Sequence, residues 1–341
     1  MCGRAACTLE AGPLAKACVY STTDGELEYP AWLTVGGPVY MPHYNLAPSA
    51  ILPVLISAHS AQHKPAEEAS TSLPTSSPER WLVPMVWNLT PNWQTGSAPV
   101  RINSRSEGLL LQPSVAATAA KAHSAEGWSE GVKRRIGLEA GRRCVVLVDG
   151  FYEWKKVQGG KKQPYFIHLP QATPRFDFTH KLPVELTDSA EKEAKGEKKV
   201  WAGRRLMHLA AVFNIRYKSG FMDGHVYSVA VITVPSARPL AHIHDRMPAI
   251  LNSEASVTQW LDSEKVPLEQ AVKLLTPLSD VEAYEVSGVV GNPRIDSPQC
   301  LQRHVPKAKT AKGTLWSYFT PTKRPAENSE GASVEKKPKD E

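Results

Sequence analysis

The fold is limited most by a set of short β-rich segments that no regular series of helices separates. Four such segments are rich in β-branched and aromatic residues and are bounded by Gly, Pro or Asp: residues 144–148, 164–169, 207–213 and 226–234. This composition and these boundaries predict strands. Because helical patterns do not alternate with them, we expect no parallel βαβ sheet. The sequence predicts an α+β fold, built on a largely antiparallel β-sheet or open barrel with flanking helices.

Helical spacing occurs in two segments, residues 253–261 and 268–275. The first begins at Ser253 with a pattern typical of a capped helix. The chain has 341 residues, of which 42% are apolar. That length allows one large domain or two ordinary ones, and the apolar content is enough for a substantial core.

We predict one domain over residues 2–302. Residues 58–80 are rich in Ser, Pro and Ala, and residues 170–199 contain a charged run. Both segments interrupt the strand-rich region, so they are predicted to be loop insertions within a single domain. Hydrophobic density falls after this region, and residues 303–341 are predicted to form a basic, disordered tail.

Composition argues against several classes of protein. The formal net charge of +6 is mild, and no run of 18 apolar residues predicts a membrane span. The first residues lack the charged and apolar regions of a secretory signal. The five cysteines are scattered without CxxC spacing, which predicts neither a disulfide framework nor a zinc site. We expect an intracellular monomer that uses no metal or cofactor and does not contact membranes.

The second residue of the chain is a cysteine. If Met1 is removed, Cys2 carries an α-amine and a thiol on adjacent carbons, with ordinary pKa values of about 8 and about 8.5. Such a 1,2-aminothiol condenses with an aldehyde to a Schiff base, and the thiol then closes a thiazolidine ring. Alternatively, Cys2 attacks an amide as an N-terminal nucleophile. A third interpretation is that position 2 only requires a small residue.

Polar side chains that can take part in catalysis occur in four short segments beside Gly, Pro or strand ends. The segments are residues 42–48, 101–107, 148–154 and 243–248. Taken alone, Glu153 has an ordinary explanation as a surface carboxylate, and His244 as a residue that hydrogen-bonds within its loop. Together with Cys2 they form the set of groups expected of an assembled catalytic site.

These segments contain ordered motifs: MCGR at 1–4, YNLAP at 44–48, NSRSE at 103–107, GFYEW at 150–154, HDRMP at 244–248 and SPQC at 297–300. The set resembles the SRAP (SOS-response-associated peptidase) family, in particular its eukaryotic abasic-site-processing members, over residues 2–302. Asn88 stands where the family usually has Gly, and Asn is the nearest substitute at a positive φ.

The resemblance implies covalent capture of abasic sites in single-stranded DNA by a thiazolidine at Cys2. Glu153 is then the expected acid–base group for the sugar and the amine, and His244 exchanges the other proton. Asn103 is expected to position the nucleophile or the sugar. Removal of Met1 by Cys2 itself and removal by an aminopeptidase both remain open.

Single-stranded DNA also requires contacts to phosphates and bases. Arg4 and Arg105 are predicted to bind phosphates through their planar guanidinium groups. The other residues expected to contact DNA are Asn45, Pro48, Trp87, Trp93, Thr233 and Arg246. Pro48 and the two tryptophans are expected to stack on bases or wedge between them. Core packing is the alternative for Trp87 and Trp93.

The C-terminal segment adds a possible partner. Residues 302–326 contain six Lys or Arg and no acidic residue, which predicts nuclear import and nonspecific contact with DNA. Within them, residues 312–319 (KGTLWSYF) resemble a PCNA-interacting motif. A 3₁₀ turn would present Leu315, Tyr318 and Phe319 together to the sliding clamp. The alternative is that this segment packs on the domain.

Two other functions remain in competition with covalent capture. One is a thiol peptidase that cuts only its own N-terminus or other peptides. The other is a noncovalent reader of modified bases. The basic tail favours a DNA function over the first. The combination of Cys2 with Glu153 and His244 favours chemistry over the second, because a reader needs no N-terminal aminothiol.

Overall fold

A computed structural model describes residues 2–33, 38–60, 79–89, 101–109, 142–171, 201, 203–217 and 225–304. The strands are β1 Ala5–Cys7, β2 Tyr20–Ser21, β3 Leu27–Glu28, β4 Ala31–Trp32, β5 His43–Leu46, β6 Ile51–Ser57, β7 Arg80–Val86, β8 Asn103–Arg105, β9 Arg143–Val148, β10 Gly150–Lys156, β11 Lys162–His168, β12 Met207–Tyr217, β13 His225–Pro235, β14 Arg246–Pro248 and β15 Glu282–Glu285. The helices are α1 Ala11–Ala17, α2 Glu254–Leu261 and α3 Leu268–Ala271.

Most of these strands form two sheets. The smaller sheet has the order β15-β11-β10-β1-β5, with antiparallel neighbours throughout. The larger has the order β14-β13-β12-β9-β6-β7-β4, and β8 adds to β13. Its curvature brings β7 back to β13, where Val86 pairs with Ser228 and closes a barrel. The predicted α+β fold with a largely antiparallel sheet is confirmed.

The core lies inside the barrel and beneath the smaller sheet. All six residues of β9 are buried, because this strand is covered on both faces. Helix α2 packs on β9, and Trp260 donates its indole N–H to the carbonyl of Cys144 at 2.9 Å. The predicted cap is confirmed, since Ser253 and Ser256 exchange side chain–backbone hydrogen bonds at the start of α2.

A sharp corner between β9 and β10 carries the chain from the larger sheet to the smaller one. Asp149 occupies the corner, and Gly150 begins β10. A Cβ atom at Gly150 would lie 2.3 Å from the carbonyl oxygen of Ile167, so no other residue fits there without a shift of the backbone. This corner places β10, which carries Glu153, directly beside β1.

The predicted strands and helices are found, with changed bounds. In the first predicted insertion, residues 58–60 form a 3₁₀ turn, and β7 already begins at Arg80. Of the second, only residues 170 and 171 are described. At the C-terminal end, Arg303 bridges to Val286, so the folded region extends to residue 304, beyond the predicted boundary.

Residues 305–341 lie outside the described part of the chain. The predicted clamp-binding residues Leu315, Tyr318 and Phe319 fall there, and that prediction is not tested. Among the residues that the structure does describe, no helix is long and apolar enough to cross a membrane.

Candidate active site

Cys2 lies immediately before β1, at the edge of the region where the two sheets meet. Its side chain is only 3% exposed, and its Sγ lies 3.8 Å from the carbonyl oxygen of Arg4. The backbone N–H of Tyr152 donates to that same carbonyl at 2.9 Å and holds this end of the chain on β10. Burial raises the pKa of the Cys2 thiol well above its ordinary value, and the charge of Glu153 raises it further. The thiol is therefore protonated at neutral pH.

Glu153 projects from β10 and is 4% exposed. In the pairing of β1 with β10, Ala5 lies opposite Phe151. The same pairing, continued towards the start of the chain, places Gly3 opposite Glu153, one residue from Cys2. Burial raises the pKa of the carboxyl group because the anion loses water, while the positive charges of the chain's amino terminus and of His244 lower it. A carboxyl with a raised pKa is suited to both giving and taking a proton near neutral pH.

Asn103 fixes the position of Cys2 from the barrel side. It lies on β8, which pairs with β13 so that Asn103 is beside Val231. Its side-chain Nδ2 donates to the carbonyl oxygen of Cys2 at 2.7 Å. Its Oδ1 is buried and accepts no hydrogen bond from any residue in the described part of the chain. The amide thus holds the Cys2 backbone and keeps one acceptor for another donor.

His244 approaches the site from the loop that precedes β14. Its side chain is 26% exposed, so it can exchange protons with solvent. The Nδ1 atom lies 2.9 Å from Oδ1 of Asp245 and 3.0 Å from the backbone nitrogen of Arg246. The first contact favours a proton on Nδ1, and the second favours a lone pair there, so the two contacts favour different tautomers of the ring.

Arg246 holds the site together instead of reaching outward. Its guanidinium binds both carboxylate oxygens of Glu107, at 2.5 and 3.0 Å, and donates to the carbonyl of Thr233 at 2.6 Å. Thr233 is buried, and its hydroxyl lies against the carbonyl of Ser104. The predicted contacts of Arg246 and Thr233 with DNA stay predictions; in this conformation both residues join β8, β13 and β14.

Arg4 and Asn45 are likewise occupied within the protein. Arg4 donates to Oδ1 of Asn45 at 2.8 Å and to the carbonyls of Val290 and Gly291. Asn45 is buried and donates to the carbonyls of Val290, Asn292 and Ile295. Both residues fasten the segment after β15 onto β5. These contacts support the chain beside Cys2, and the predicted contacts of both residues with DNA stay predictions.

The predicted stacking residues separate into different environments. Trp87 is 1% exposed and donates its indole N–H to the carbonyl of Ile102, which favours the core alternative over base stacking. Pro48 is exposed. Since Leu46 pairs with Ala5, the turn that carries Pro48 lies at the Cys2 end of β1. Trp93 is outside the described residues.

Arg105 remains at the site surface. It is partly exposed and lies two residues after Asn103 on β8, so both side chains lie on the same face of the strand.

The prediction for Asn88 is not confirmed, because positive φ among described non-Gly residues occurs at Ser49 (73°). Asn88 instead accepts a hydrogen bond from the backbone of Arg101 at 2.9 Å.

The family model of SOS response associated peptidase (SRAP) matches residues 1–131 and 134–293. The chain belongs to the SRAP family. The chain is 34% identical to the mouse "Abasic site processing protein HMCES" over 307 residues, covering 88% of this chain and 75% of that protein. It is 34% identical to the chicken protein of the same name over 306 residues, covering 88% and 77%.

More distant proteins match over much of the same length. The "Abasic site processing protein YoqW" of Bacillus subtilis is 25% identical over 270 residues, covering 78% of this chain and 88% of its own. A crystal structure of a Bacteroides thetaiotaomicron protein superposes with a TM-score of 0.55 at 15% identity, covering 89% of this chain and all of the other. That likeness supports the SRAP fold alone.

Sequence reasoning missed several residues that support this SRAP site. The partner of Arg246 is Glu107, the last residue of the NSRSE motif, and its position in that motif was the available signal. Asp149, at the end of the apolar strand β9, is fully buried beside Arg204. A charged residue at the end of a buried strand is the only sequence signal for it.

Proposed function

We propose that this protein captures abasic sites in single-stranded DNA by forming a covalent thiazolidine crosslink through Cys2 after Met1 is removed. The observation that carries the proposal is the convergence of three groups. The Cys2 backbone accepts a hydrogen bond from Asn103, and its thiol is close enough to Glu153 for the carboxylate charge to raise the pKa of the thiol. The similarity to proteins named for abasic site processing supports the choice of substrate.

The first step opens the sugar. An abasic deoxyribose exists mostly as a closed hemiacetal, and the C1′ aldehyde forms when a proton moves from the C1′ hydroxyl to a base and the ring oxygen gains one. The raised pKa of Glu153 allows it to carry protons in both directions. His244, which is partly exposed, exchanges the second proton with solvent.

The second step forms the crosslink. The Cys2 amine adds to C1′, and loss of water gives a Schiff base. The thiol then adds to the same carbon, with its proton accepted by Glu153 and passed to the nitrogen. One aldehyde and one aminothiol thus give one thiazolidine and one water. Asn103 Oδ1, which accepts no hydrogen bond from the described residues, is proposed to accept one from the Cys2 amine.

Single-stranded DNA is expected to reach Cys2 across the surface that carries Arg105 and Pro48. Arg105 supplies a guanidinium for a phosphate on the same strand face as Asn103. Pro48 supplies an exposed ring beside the Cys2 end of β1 for contact with a flanking base. Of the predicted DNA-binding residues in the described part of the chain, these two support the proposal best.

A gel and mass experiment tests the proposal. Purified protein is incubated with single-stranded DNA bearing one abasic site, and the products are resolved on a denaturing gel and by intact mass. We expect a heat-stable adduct that lacks Met1, with the mass of protein plus DNA minus one water. Undamaged DNA and the Cys2→Ala variant should give none. Folded protein without Met1 that forms no adduct would contradict the proposal and favour the peptidase or reader.

The C-terminal tail is the basis for a proposal about where in the cell the protein acts and which protein it binds. We propose that the protein acts in the nucleus and that Leu315, Tyr318 and Phe319 bind the PCNA clamp, on the basis of the sequence pattern alone. Full-length protein should bind purified PCNA, and the double change Tyr318→Ala with Phe319→Ala should abolish that binding. Equal binding by both proteins would remove the clamp from the proposal.

A further inference from the structure

A buried charged cluster lies behind the site, and none of the steps above uses it. It consists of Thr8, Asp149 and Arg204, each of which is at most 3% exposed. Asp149 accepts hydrogen bonds from the backbone N–H and the hydroxyl of Thr8, both at 2.7 Å. Arg204 closes the cluster, with Nε 3.2 Å from the Asp149 carboxylate and a terminal nitrogen 2.6 Å from the Thr8 hydroxyl.

This cluster connects the two strands that hold the reacting groups. Thr8 directly follows β1, and Asp149 directly precedes β10. The backbone N–H of Asp149 also donates to the carbonyl of Ala6 at 2.8 Å. One residue therefore holds β1 at two positions, Ala6 and Thr8, and so fixes which residues of β1 and β10 lie opposite each other.

Register matters more here than in an ordinary strand pair, because β1 has only three residues. A slip of one residue would move Cys2 by about 3.3 Å and turn its side chain to the other face of the sheet. A buried ion pair adds little stability over apolar residues of the same volume, whereas leaving one partner alone is costly. The main effect of the cluster is therefore to enforce a single strand register, and its contribution to stability is smaller.

We propose that Thr8, Asp149 and Arg204 are positioning residues that set the register of β1 on β10 and thereby place Cys2 against Glu153 and Asn103. The expected effect of the cluster on crosslinking rests on the proposed function. Its expected effect on the position of Cys2 is independent of that function, and the two effects are measured separately.

Thr8→Val removes the hydroxyl that links Asp149 to Arg204 and keeps the backbone N–H bond. Thr8→Ser retains the hydroxyl and should restore wild-type behaviour. The Thr258 hydroxyl on α2 also contacts an arginine, Arg80, which forms an ion pair with an acidic residue. Because this contact lies far from Thr8 in the sequence, Thr258→Val is the matched control. Thr8→Ala replaces Thr8→Val if the added methyl group prevents folding.

The first readout uses no DNA. Alkylation of Cys2 by iodoacetamide is followed by peptide mass mapping in protein that has lost Met1. A loosened register exposes the buried thiol, so Thr8→Val should react several-fold faster than wild type, while Thr8→Ser and Thr258→Val match wild type. Equal rates in folded Thr8→Val and wild type would overturn the inference, whether or not the protein crosslinks DNA.

The second readout follows the chemistry. At saturating abasic DNA, Thr8→Val should crosslink about tenfold more slowly, since small misplacement of a reacting group has a large effect on rate. Its affinity for DNA with a nonreactive abasic analogue should stay unchanged. The borohydride-trappable imine fraction should rise, because the thiol closes the ring late. A lower melting temperature without these changes would assign the cluster a structural role only.

Discussion

At the scale of single residues, Glu153 combines a buried position with a task that requires charge. Burial raises its pKa, and the same burial raises the pKa of the Cys2 thiol beside it. Both groups therefore bind their protons more tightly than they would in water. Catalytic groups are often kept in such environments at some loss of stability.

Glu153→Gln should slow both formation and reversal of the crosslink, by about 100-fold or more if Glu153 carries the proton in each direction. Single-turnover rates measured in both directions test this. The glutamine keeps the shape and polarity of the side chain, so affinity for undamaged single-stranded DNA should not change and serves as the control. Unchanged rates in both directions would remove Glu153 from the mechanism.

The same substitution should stabilise the fold at neutral pH. A carboxyl whose folded pKa is raised costs stability at every pH above its ordinary value of 4.5, because the unfolded chain ionises more easily. The gain in melting temperature from Glu153→Gln should therefore be present at pH 7 and disappear below pH 4.5. A gain that grows as the pH falls would contradict the raised pKa.

At the scale of secondary-structure elements, the site depends on the contact between Arg246 and Glu107. This pair joins the turn after β8 to the start of β14, and thereby links Asn103 to the loop that carries His244. The Arg246 guanidinium lowers the pKa of Glu107 to about 2. The stabilisation is fully present above pH 4.5 and is lost as the pH falls towards 2.

Glu107→Gln should thus lower the melting temperature at neutral pH and have little effect near pH 2. The loss is modest, because the Glu107 side chain is 54% exposed and water screens the pair. Thermal unfolding of both proteins across this pH range measures the difference. Glu269→Gln is the control, since it removes an exposed carboxylate on α3 and leaves the guanidinium contact in place. A difference that persists at low pH would show that the ion pair is not its source.

Sequence patterns predict the strands and helices better than they predict the contacts between distant residues. Strands β9 and β13 are visible as apolar runs, and Cys2 and Glu153 stand beside recognisable turns. The contacts of Trp87 and Arg246 are not visible in the sequence, because their partners, Ile102 and Glu107, lie further along or back in the chain and meet them only in the folded barrel. Residue type shows that an arginine or tryptophan can bind DNA, but only packing decides whether it is free to do so.

At the scale of the whole molecule, binding and chemistry should respond differently to salt. Capture begins with contacts between cationic side chains and phosphates, which release counterions and weaken as salt rises. In the proposed mechanism, ring opening and thiazolidine closure take place in the buried site around Cys2 and Glu153, where screening is weak. Between about 50 and 200 mM salt, the DNA concentration for half-maximal capture should rise steeply, while the rate at saturating DNA changes little.

An adduct formed at low salt should also survive transfer to high salt, because a covalent bond does not depend on counterions. Arg105→Ala should reduce the salt slope by about one unit if this residue contacts one phosphate. Arg216→Ala, which removes a partly exposed cation from the far part of β12, is the comparison for general loss of charge. If the two variants had equal slopes, Arg105 would not lie on the DNA path. If the rate at saturating DNA fell as steeply as affinity, the reacting groups would have to be open to bulk ions.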